Sequence, residues 1–230
     1  MVDALRPLTA RVSRRLSSET PESRDIRKFK KSLVAAGVPL GGPEAKFAQV
    51  GRKSLAAMID AGLMPSHRVV DIGAGSMRVG WWLMHYIEPA NYYAIEPLRD
   101  RIDTAARLLG VRINALYNDD FTFPDVAVDF AIARSVWSHA SKVQIAKMIS
   151  EFARTATPGA GFLASVRPAV DAAEDYTGDE WVGKGPESDD PGMVNHSLDW
   201  IEAECSSREL TMKEYGELNS QTWVLMRSPR

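Results

Sequence analysis

The segment Val69-Val70-Asp71-Ile72-Gly73-Ala74-Gly75-Ser76 constrains the fold more than any other stretch of this 230-residue chain. A short apolar run, Arg68–Ile72, enters a glycine turn and leaves it as a helix. Gly73 and Gly75 permit positive backbone dihedrals and a close approach of backbone to a ligand. The helix start just beyond offers unpaired N–H groups. A turn of this kind sits at the carboxyl ends of strands, where open α/β sheets bind their ligands.

From that turn onward, strand and helix patterns alternate. Val79–Ile87 reads as a helix, Tyr92–Ile95 as a strand, and Arg99–Leu109 as a helix capped by Gly110. Arg112–Leu116 and Val128–Ala133 read as strands. Gln144–Arg154 reads as a helix closed by Thr157-Pro158-Gly159, followed by a strand over Gly161–Val166. This alternation predicts an α/β fold with a parallel sheet covered on both faces. Pro168 to His196 is a long loop rich in Asp, Gly and Pro, and loops of that length are more often functional than idle. Ser197 is placed to cap a helix running to about Ser207, with Leu198, Ile201 and Cys205 along one side. Leu210–Leu218 and Gln221–Met226 are strands joined by Asn219-Ser220, a connection tight enough to require an antiparallel hairpin.

Charge divides the chain. Residues 1–40 carry nine basic side chains (Arg6, Arg11, Arg14, Arg15, Arg24, Arg27, Lys28, Lys30, Lys31) against four acidic ones (Asp3, Glu19, Glu22, Asp25). The segment is therefore about +5, and the remainder about -7, within a net charge of -2. Asp25 to Ala36 reads as a short basic helix with Ile26, Phe29, Leu33 and Val34 on one face. It is a cover for the main domain, a lid, a homodimer interface, or a patch for acidic partners. Gly37 to Pro43 breaks the chain, and a second helix runs from Glu44 to Gly62. The expected organisation is a basic helical extension over 1–45 and a ligand-binding domain over 46–230. The single cysteine, Cys205, excludes an internal disulfide framework and a cysteine zinc site. No run of about 18 apolar residues is present, so no transmembrane segment is expected. Arginines without an apolar core at the start argue against a secretory signal, and a cytoplasmic location follows as the expectation. The overall negative charge argues against nucleic acid as a partner.

The residues around the glycine turn narrow the ligand. A dinucleotide fingerprint needs Gly or Ala at its sixth position, and here that position is Arg78. Asp71 before the first glycine gains nothing from a pyrophosphate but suits an amino group. Glu96, at the end of the next strand, is placed to accept bonds from both ribose hydroxyls. Asp119-Asp120-Phe121 follows the third strand, where a carboxylate can take an adenine amino group while Phe121 packs on the ring. Three acidic positions favour an adenosyl ligand without a pyrophosphate.

Together with Tyr-Tyr-Ala-Ile-Glu-Pro, Asn-Asp-Asp-Phe, Asp-Phe-Ala-Ile-Ala-Arg-Ser-Val-Trp-Ser-His and Ala-Thr-Pro-Gly-Ala-Gly-Phe-Leu, the glycine segment resembles the ordered motifs of class I S-adenosyl-L-methionine (SAM)-dependent methyltransferases. The resemblance covers roughly residues 66 to 227. It implies a Rossmann-like seven-stranded, mostly parallel sheet with an antiparallel C-terminal hairpin. It assigns Asp71, Gly73, Ala74 and Gly75 to the methionine part of SAM, although many members have Cys or Gly where Ala74 stands. It gives the ribose to Glu96, the base to Pro97 or Leu98, and the adenine edge to Asp120, or second to Asp119, with Phe121. Arg134 and Ser135 then line the sulfonium side, and S-adenosyl-L-homocysteine (SAH) is the product.

Acceptor-side candidates come next. Ser135-Val136-Trp137-Ser138-His139 begins the active-site wall, with Trp137 either lining the transfer channel or simply core. His139 is a candidate general base or a structural histidine, and His196 on the long loop is a second candidate base. Arg78 binds the SAM carboxylate or a substrate anion, or pairs with a protein carboxylate. Gln49-Val50-Gly51-Arg52 is a segment that closes over the cofactor in similar proteins. Asp171, Glu174, Tyr176 and Trp181 are candidate substrate contacts. No Asn/Asp-Pro-Pro-aromatic run and no Pro-Cys nucleophile follow the fourth strand, which disfavours base methylation. No metal-ligand spacing appears, so no metal is expected. The expectation is an O-methyltransferase acting on a hydroxyl of a small molecule, natural product or saccharide. A nicotinamide-dependent oxidoreductase and a non-catalytic scaffold of the same fold are the alternatives.

Overall fold

Strands apolar on both faces belong in the middle of a sheet. The computed structural model, which describes residues 21–42, 44–183, 192–218 and 220–230, bears this out. Strands β1 (Val69–Ile72) and β4 (Val128–Ala133) are buried almost throughout and lie side by side. Strands β2 (Tyr92–Ile95) and β3 (Asn114–Leu116) extend the sheet on one side of β1, all parallel. On the other side come β5 (Ala156–Val166), β7 (Gln221–Arg227) and β6 (Thr211–Leu218), giving the order β3-β2-β1-β4-β5-β7-β6. β7 is antiparallel to both of its neighbours. The expected seven-stranded, mostly parallel sheet with a C-terminal hairpin is therefore the observed one.

Helices cover both faces. One face carries α1 (Pro21–Ala35), α2 (Phe47–Asp60), α3 (Gly80–Leu83) and α4 (Arg99–Leu109). Their side chains, including Ile26, Phe29, Leu33, Phe47, Met58, Leu83 and Ile102, share one core with Tyr92 and Phe130. The other face carries α5 (Lys142–Thr155) and α6 (Leu198–Ser206), whose Ile145, Met148, Phe152, Ile201 and Cys205 pack with Phe162 and Val224. Caps set the ends: Ser141 and Gln144 form a reciprocal capping box, Ser197 accepts from the Trp200 N–H, and Gly110 closes α4 at φ 67°.

Four expectations are corrected. Val34 does not join the buried face of α1 but lies 46% exposed. The expected helix over 79–87 is α-helical only across Gly80–Leu83, because the His85 and Tyr86 N–H groups donate three residues back, to the Trp82 and Leu83 carbonyls, and so leave the α spacing. The helix expected over 44–62 opens with a 3-10 turn and is α-helical over Phe47–Asp60. Thr157-Pro158-Gly159 does not separate helix from strand. β5 begins at Ala156, and the proline, which has no N–H to give, falls at a register shift opposite Val128/Phe130.

Arg6, Arg11, Arg14 and Arg15 of the basic extension lie outside the described residues. The described part, α1, spends its apolar face within this chain's own core, so a dimer through this helix would have to use its basic face. No helix among the described residues is long and apolar enough to cross a membrane. The chain runs β1–β2–β3 to one side and resumes with β4 on the other. That reversal leaves a crevice at the carboxyl ends of β1, β2 and β4.

Candidate active site

Three strand ends deliver three acidic side chains to this crevice. Asp71, inside β1, is 2% exposed and accepts a hydrogen bond of 2.8 Å from the Tyr92 hydroxyl. Burial, reinforced by the charge of Glu96, outweighs that bond and raises its carboxyl to about 7. Glu96 follows β2 and clamps the glycine turn. The Gly75 N–H donates to its Oε2 at 2.9 Å, the Leu98 N–H to its Oε1 at 3.2 Å, and the Arg101 guanidinium lies at 3.9 Å. A carboxylate offers about four acceptor sites, so capacity remains for two hydroxyls. Gly73, at φ 64°, lies so close to Val136 that an added Cβ would meet its Cγ2 at 2.6 Å.

Two adjoining cavities occupy the crevice. One, of about 240 Å³, is lined by Ile95, Glu96, Pro97, Asn118, Asp119, Phe121, Gln144 and Trp181. The other, of about 320 Å³, is lined by Leu40, Gly41, Gly42, Asp71, Ala74, Gly75, Ser76, Arg78, Arg134, Ser135 and His139. Gly73, Glu96, Val136 and Trp181 face both. Glu96 thus stands at the junction of an apolar slot and a charged chamber.

The order of the two aspartates is reversed. Asp120 turns away and closes a local turn, its two oxygens accepting from the Thr122 N–H and hydroxyl, each at 3.0 Å. Asp119 lines the slot instead. Beside it, the buried Asn118 Oδ1 has no hydrogen-bond partner among the described residues. Phe121, held at φ 58°, stacks on Trp181 at 6.3 Å between centroids, and Trp181 stacks on His139 at 5.6 Å. Leu98 contributes its backbone N–H to Glu96 rather than a side chain to the slot.

His139 reaches the chamber in a defined tautomer. Its Nδ1 lies 2.8 Å from the Gly192 carbonyl and 3.0 Å from that of Val182. Carbonyl oxygens only accept, so Nδ1 carries the proton and the neutral ring leaves Nε2 as a proton acceptor. Burial lowers the imidazole pKa below its ordinary value and keeps the ring neutral. Ser135, at φ 58°, bends the backbone after β4. Its N–H donates to the Ser165 hydroxyl at 2.6 Å, and its own hydroxyl accepts from Gln221 at 3.2 Å. Arg78 is anchored by a 2.9 Å bond to the Leu40 carbonyl and by the Phe47 ring.

Other expectations fail on geometry. Trp137 is fully buried, edge-on to Phe162 at 5.7 Å, and walls no cavity; it is core. His196 is also fully buried, its Nε2 bonded to the Ala140 carbonyl at 3.0 Å, where it ties the long loop to the start of α5. Tyr176 turns its hydroxyl to the Glu180 carbonyl at 3.1 Å and lines neither cavity. The 49–52 segment lies on α2, with Gly51 packed against Arg78 and Trp82, and none of its residues lines either cavity. Asp171 and Glu174 serve the loop's own turns. Among the described residues no group of three or more His, Cys, Asp or Glu side chains is placed to hold a metal ion.

Some lining residues carried no recognised signal. Leu40, Gly41 and Gly42 read only as part of a chain break, Gln144 as the first residue of a helix, and Arg101 as part of another. Asn118 stands beside a recognised motif and was legible in principle.

No protein-family model matches the chain, and no curated protein matches it. Solved structures do match. Magnesium protoporphyrin IX methyltransferase (ChlM) from Synechocystis PCC 6803 with bound SAM is 14% identical, with 81% of each chain covered and a TM-score of 0.57. A SAM-dependent methyltransferase from Clostridium acetobutylicum ATCC 824 is 10% identical, covering 90% of this chain and 99% of its own, at a TM-score of 0.58. The [4+2]-cyclase SpnF is 14% identical, covering 78% of this chain and 81% of its own, at 0.56. The chain has the Rossmann-like fold of class I SAM-dependent methyltransferases.

Proposed function

We propose that this protein is a SAM-dependent methyltransferase that methylates a hydroxyl group of a small molecule or saccharide. The carrying observation is the pairing of an apolar slot with a charged chamber, with Glu96 at their junction. A molecule with adenine at one end, a ribose in the middle and a charged amino acid at the other matches that sequence of environments. Asp119, Asn118 and Phe121 suit the base. Asn118 supports this directly, because its buried, unpartnered Oδ1 is an acceptor awaiting a donor such as the adenine amino group. Glu96 suits the ribose hydroxyls and Asp71 the ammonium. Arg78, whose buried Nε has no partner among the described residues, suits the carboxylate.

Bound there, SAM supplies a methyl group on a positively charged sulfur, which leaves in a single in-line displacement. The protein's own tasks are then to hold the acceptor in line, exclude water and take a proton. His139 Nε2 is the group on the chamber wall suited to the proton, since Val182 and Gly192 hold the ring with its other nitrogen protonated.

A thermal shift series with SAM, SAH and NAD(H), followed by radiolabelled methyl transfer to a panel of hydroxyl acceptors, tests the reading. Ligand at about a hundred times its Kd adds roughly 2.7 kcal/mol. For a chain of this size that is a rise in Tm of about 5–10 °C. A rise with the two adenosyl compounds alone is expected. A rise with NAD(H) alone overturns the cofactor assignment. Tight SAH binding without transfer to any acceptor overturns the catalytic one.

A further inference from the structure

Three arginines line the chamber: Arg101 lies 3.9 Å from Glu96, whereas neither Arg78 nor Arg134 has a carboxylate within hydrogen-bonding reach among the described residues. Arg78 is 5% exposed, with one bond to the Leu40 carbonyl and a buried Nε that has no partner. Arg134 also has a buried, unpartnered Nε and feels Asp71 only through the field. Burial lowers both guanidiniums to about 10, and Arg78 adds to the effect on Arg134. Arginines crowded into one partly desolvated space are costly unless anions come to them.

Neither acid on the chamber wall pairs with Arg78 or Arg134. Glu96 serves Gly75, Leu98 and Arg101, and Asp71 is held by Tyr92. A SAM-type donor brings an ammonium, a carboxylate and a sulfonium. Asp71 balances the ammonium, and the donor carboxylate balances one arginine. The sulfonium charge disappears with the methyl group. One arginine is still left over. Arg78 lies three residues past Gly75 and belongs with the amino-acid end of the donor. Arg134 directly follows β4, five residues before His139, on the acceptor side.

We infer that the acceptor carries a carboxylate and that Arg134 holds it, so that the substrate class is hydroxycarboxylic acids. The inference rests on the proposed donor. One leftover cation matches a monoanion, and the guanidinium fork matches the two coplanar oxygens of a carboxylate. The carboxylate then anchors the molecule while its hydroxyl meets His139 Nε2. Arg134 is here a specificity-determining residue, distinct from the base.

The test uses protein saturated with SAH, titrated calorimetrically with 4-hydroxybenzoate and with its uncharged amide. Wild-type protein should bind the acid more tightly by about tenfold to a hundredfold, the worth of a charge-assisted bond. Arg134→Gln should erase that preference while SAH affinity changes by less than about twofold. Arg78→Gln should instead weaken SAH. Preserved SAH affinity certifies that Arg134→Gln is folded. If it does not fold, the guanidinium Nε–H resonance of Arg134 in wild-type protein gives a second readout: it should shift with the acid and stay still with the amide. An acid that binds no better than its amide overturns the inference and leaves the donor reading intact. Loss of SAH affinity in Arg134→Gln to the extent seen in Arg78→Gln overturns it too, by assigning Arg134 to the donor. Wild-type protein that fails to bind SAH overturns both.

Discussion

Tyr92 donates its hydroxyl proton to Asp71 at 2.8 Å, and this pair sets the charge state of the chamber. The bond favours the carboxylate, yet burial raises its pKa to about 7, against about 3.9 in an unfolded chain. Between those values the folded protein holds the extra proton. Stability of the ligand-free protein contributed by this group therefore falls as pH rises from about 4 to 7, and is flat above. A bound ammonium reverses the preference. SAH binding near pH 6.5 should expel a proton, seen as a binding enthalpy that depends on the buffer's ionisation enthalpy, and the effect should fade by pH 8. An enthalpy independent of buffer at pH 6.5 removes Asp71 as the ammonium partner.

Glu96→Ala should weaken SAH binding by roughly 1–3 kcal/mol, because it strips the ribose hydroxyls of an acceptor and frees the Gly75 and Leu98 N–H groups. Calorimetry that finds an unchanged Kd sinks the ribose role.

His139→Ala should lower turnover while leaving SAH affinity nearly unchanged. Because burial lowers its pKa, the acid limb of kcat/KM in wild-type protein should lie below the ordinary histidine value of about 6.5. The folded state prefers the neutral ring, so the same group costs stability as pH falls below that value. A variant with wild-type turnover leaves His139 a loop anchor and nothing more.

Gly73→Ala meets two obstacles at once: a backbone at φ 64° and a Cβ that lands 2.6 Å from Val136 Cγ2. The backbone component alone is worth about 1–2 kcal/mol. Adding Val136→Ala should recover the steric part of the lost stability and not the backbone part. A double mutant restored to the stability of Val136→Ala alone would mean that the turn tolerates a side chain.

The two tryptophans should separate cleanly. Trp137→Ala empties a core site and should cost about 3–5 kcal/mol in denaturant unfolding. Trp181→Ala, on the cavity wall between Phe121 and His139, should cost far less stability and show its main effect on ligand binding. Equal losses of stability contradict the placement.

Periodicity made the sheet legible. Tyr92–Ile95, Val128–Ala133 and Arg99–Leu109 lie where their apolar spacing and the Gly110 cap put them. Asp71, Glu96 and the Asp119-Asp120 pair pointed to the ligand crevice for the same reason, since each lies in or just after a strand that local pattern identifies. For Trp137 the sequence left core and channel wall open, because its direction is set by packing against Phe162, which lies 25 residues further along the chain. His196 was not legible as core, since its partner carbonyl at Ala140 lies 56 residues earlier in the chain. Asp119 and Asp120 are neighbours, and only the turn that Thr122 makes with Asp120 decides which faces the slot. Pattern reads the scaffold well; side-chain direction past a strand end is decided by long-range packing.

The position of β7 between β5 and β6 governs how this molecule is made. Among the described residues β6 has no sheet neighbour except β7, and β7 covers the second edge of β5 over Gly161–Val166. A ribosome releases β5 and β6 before residues 221–227. During that interval the nascent chain carries a bare, apolar strand edge in its middle, of the kind that recruits other chains. Closure should then come late and over long range, and in the folded protein the Arg227 side chain bonds the carbonyls of Ala61 and Gly159 and ties the sheet to the end of α2. Expression yield should accordingly be more sensitive to changes in 221–227 than to changes in any other stretch of equal length.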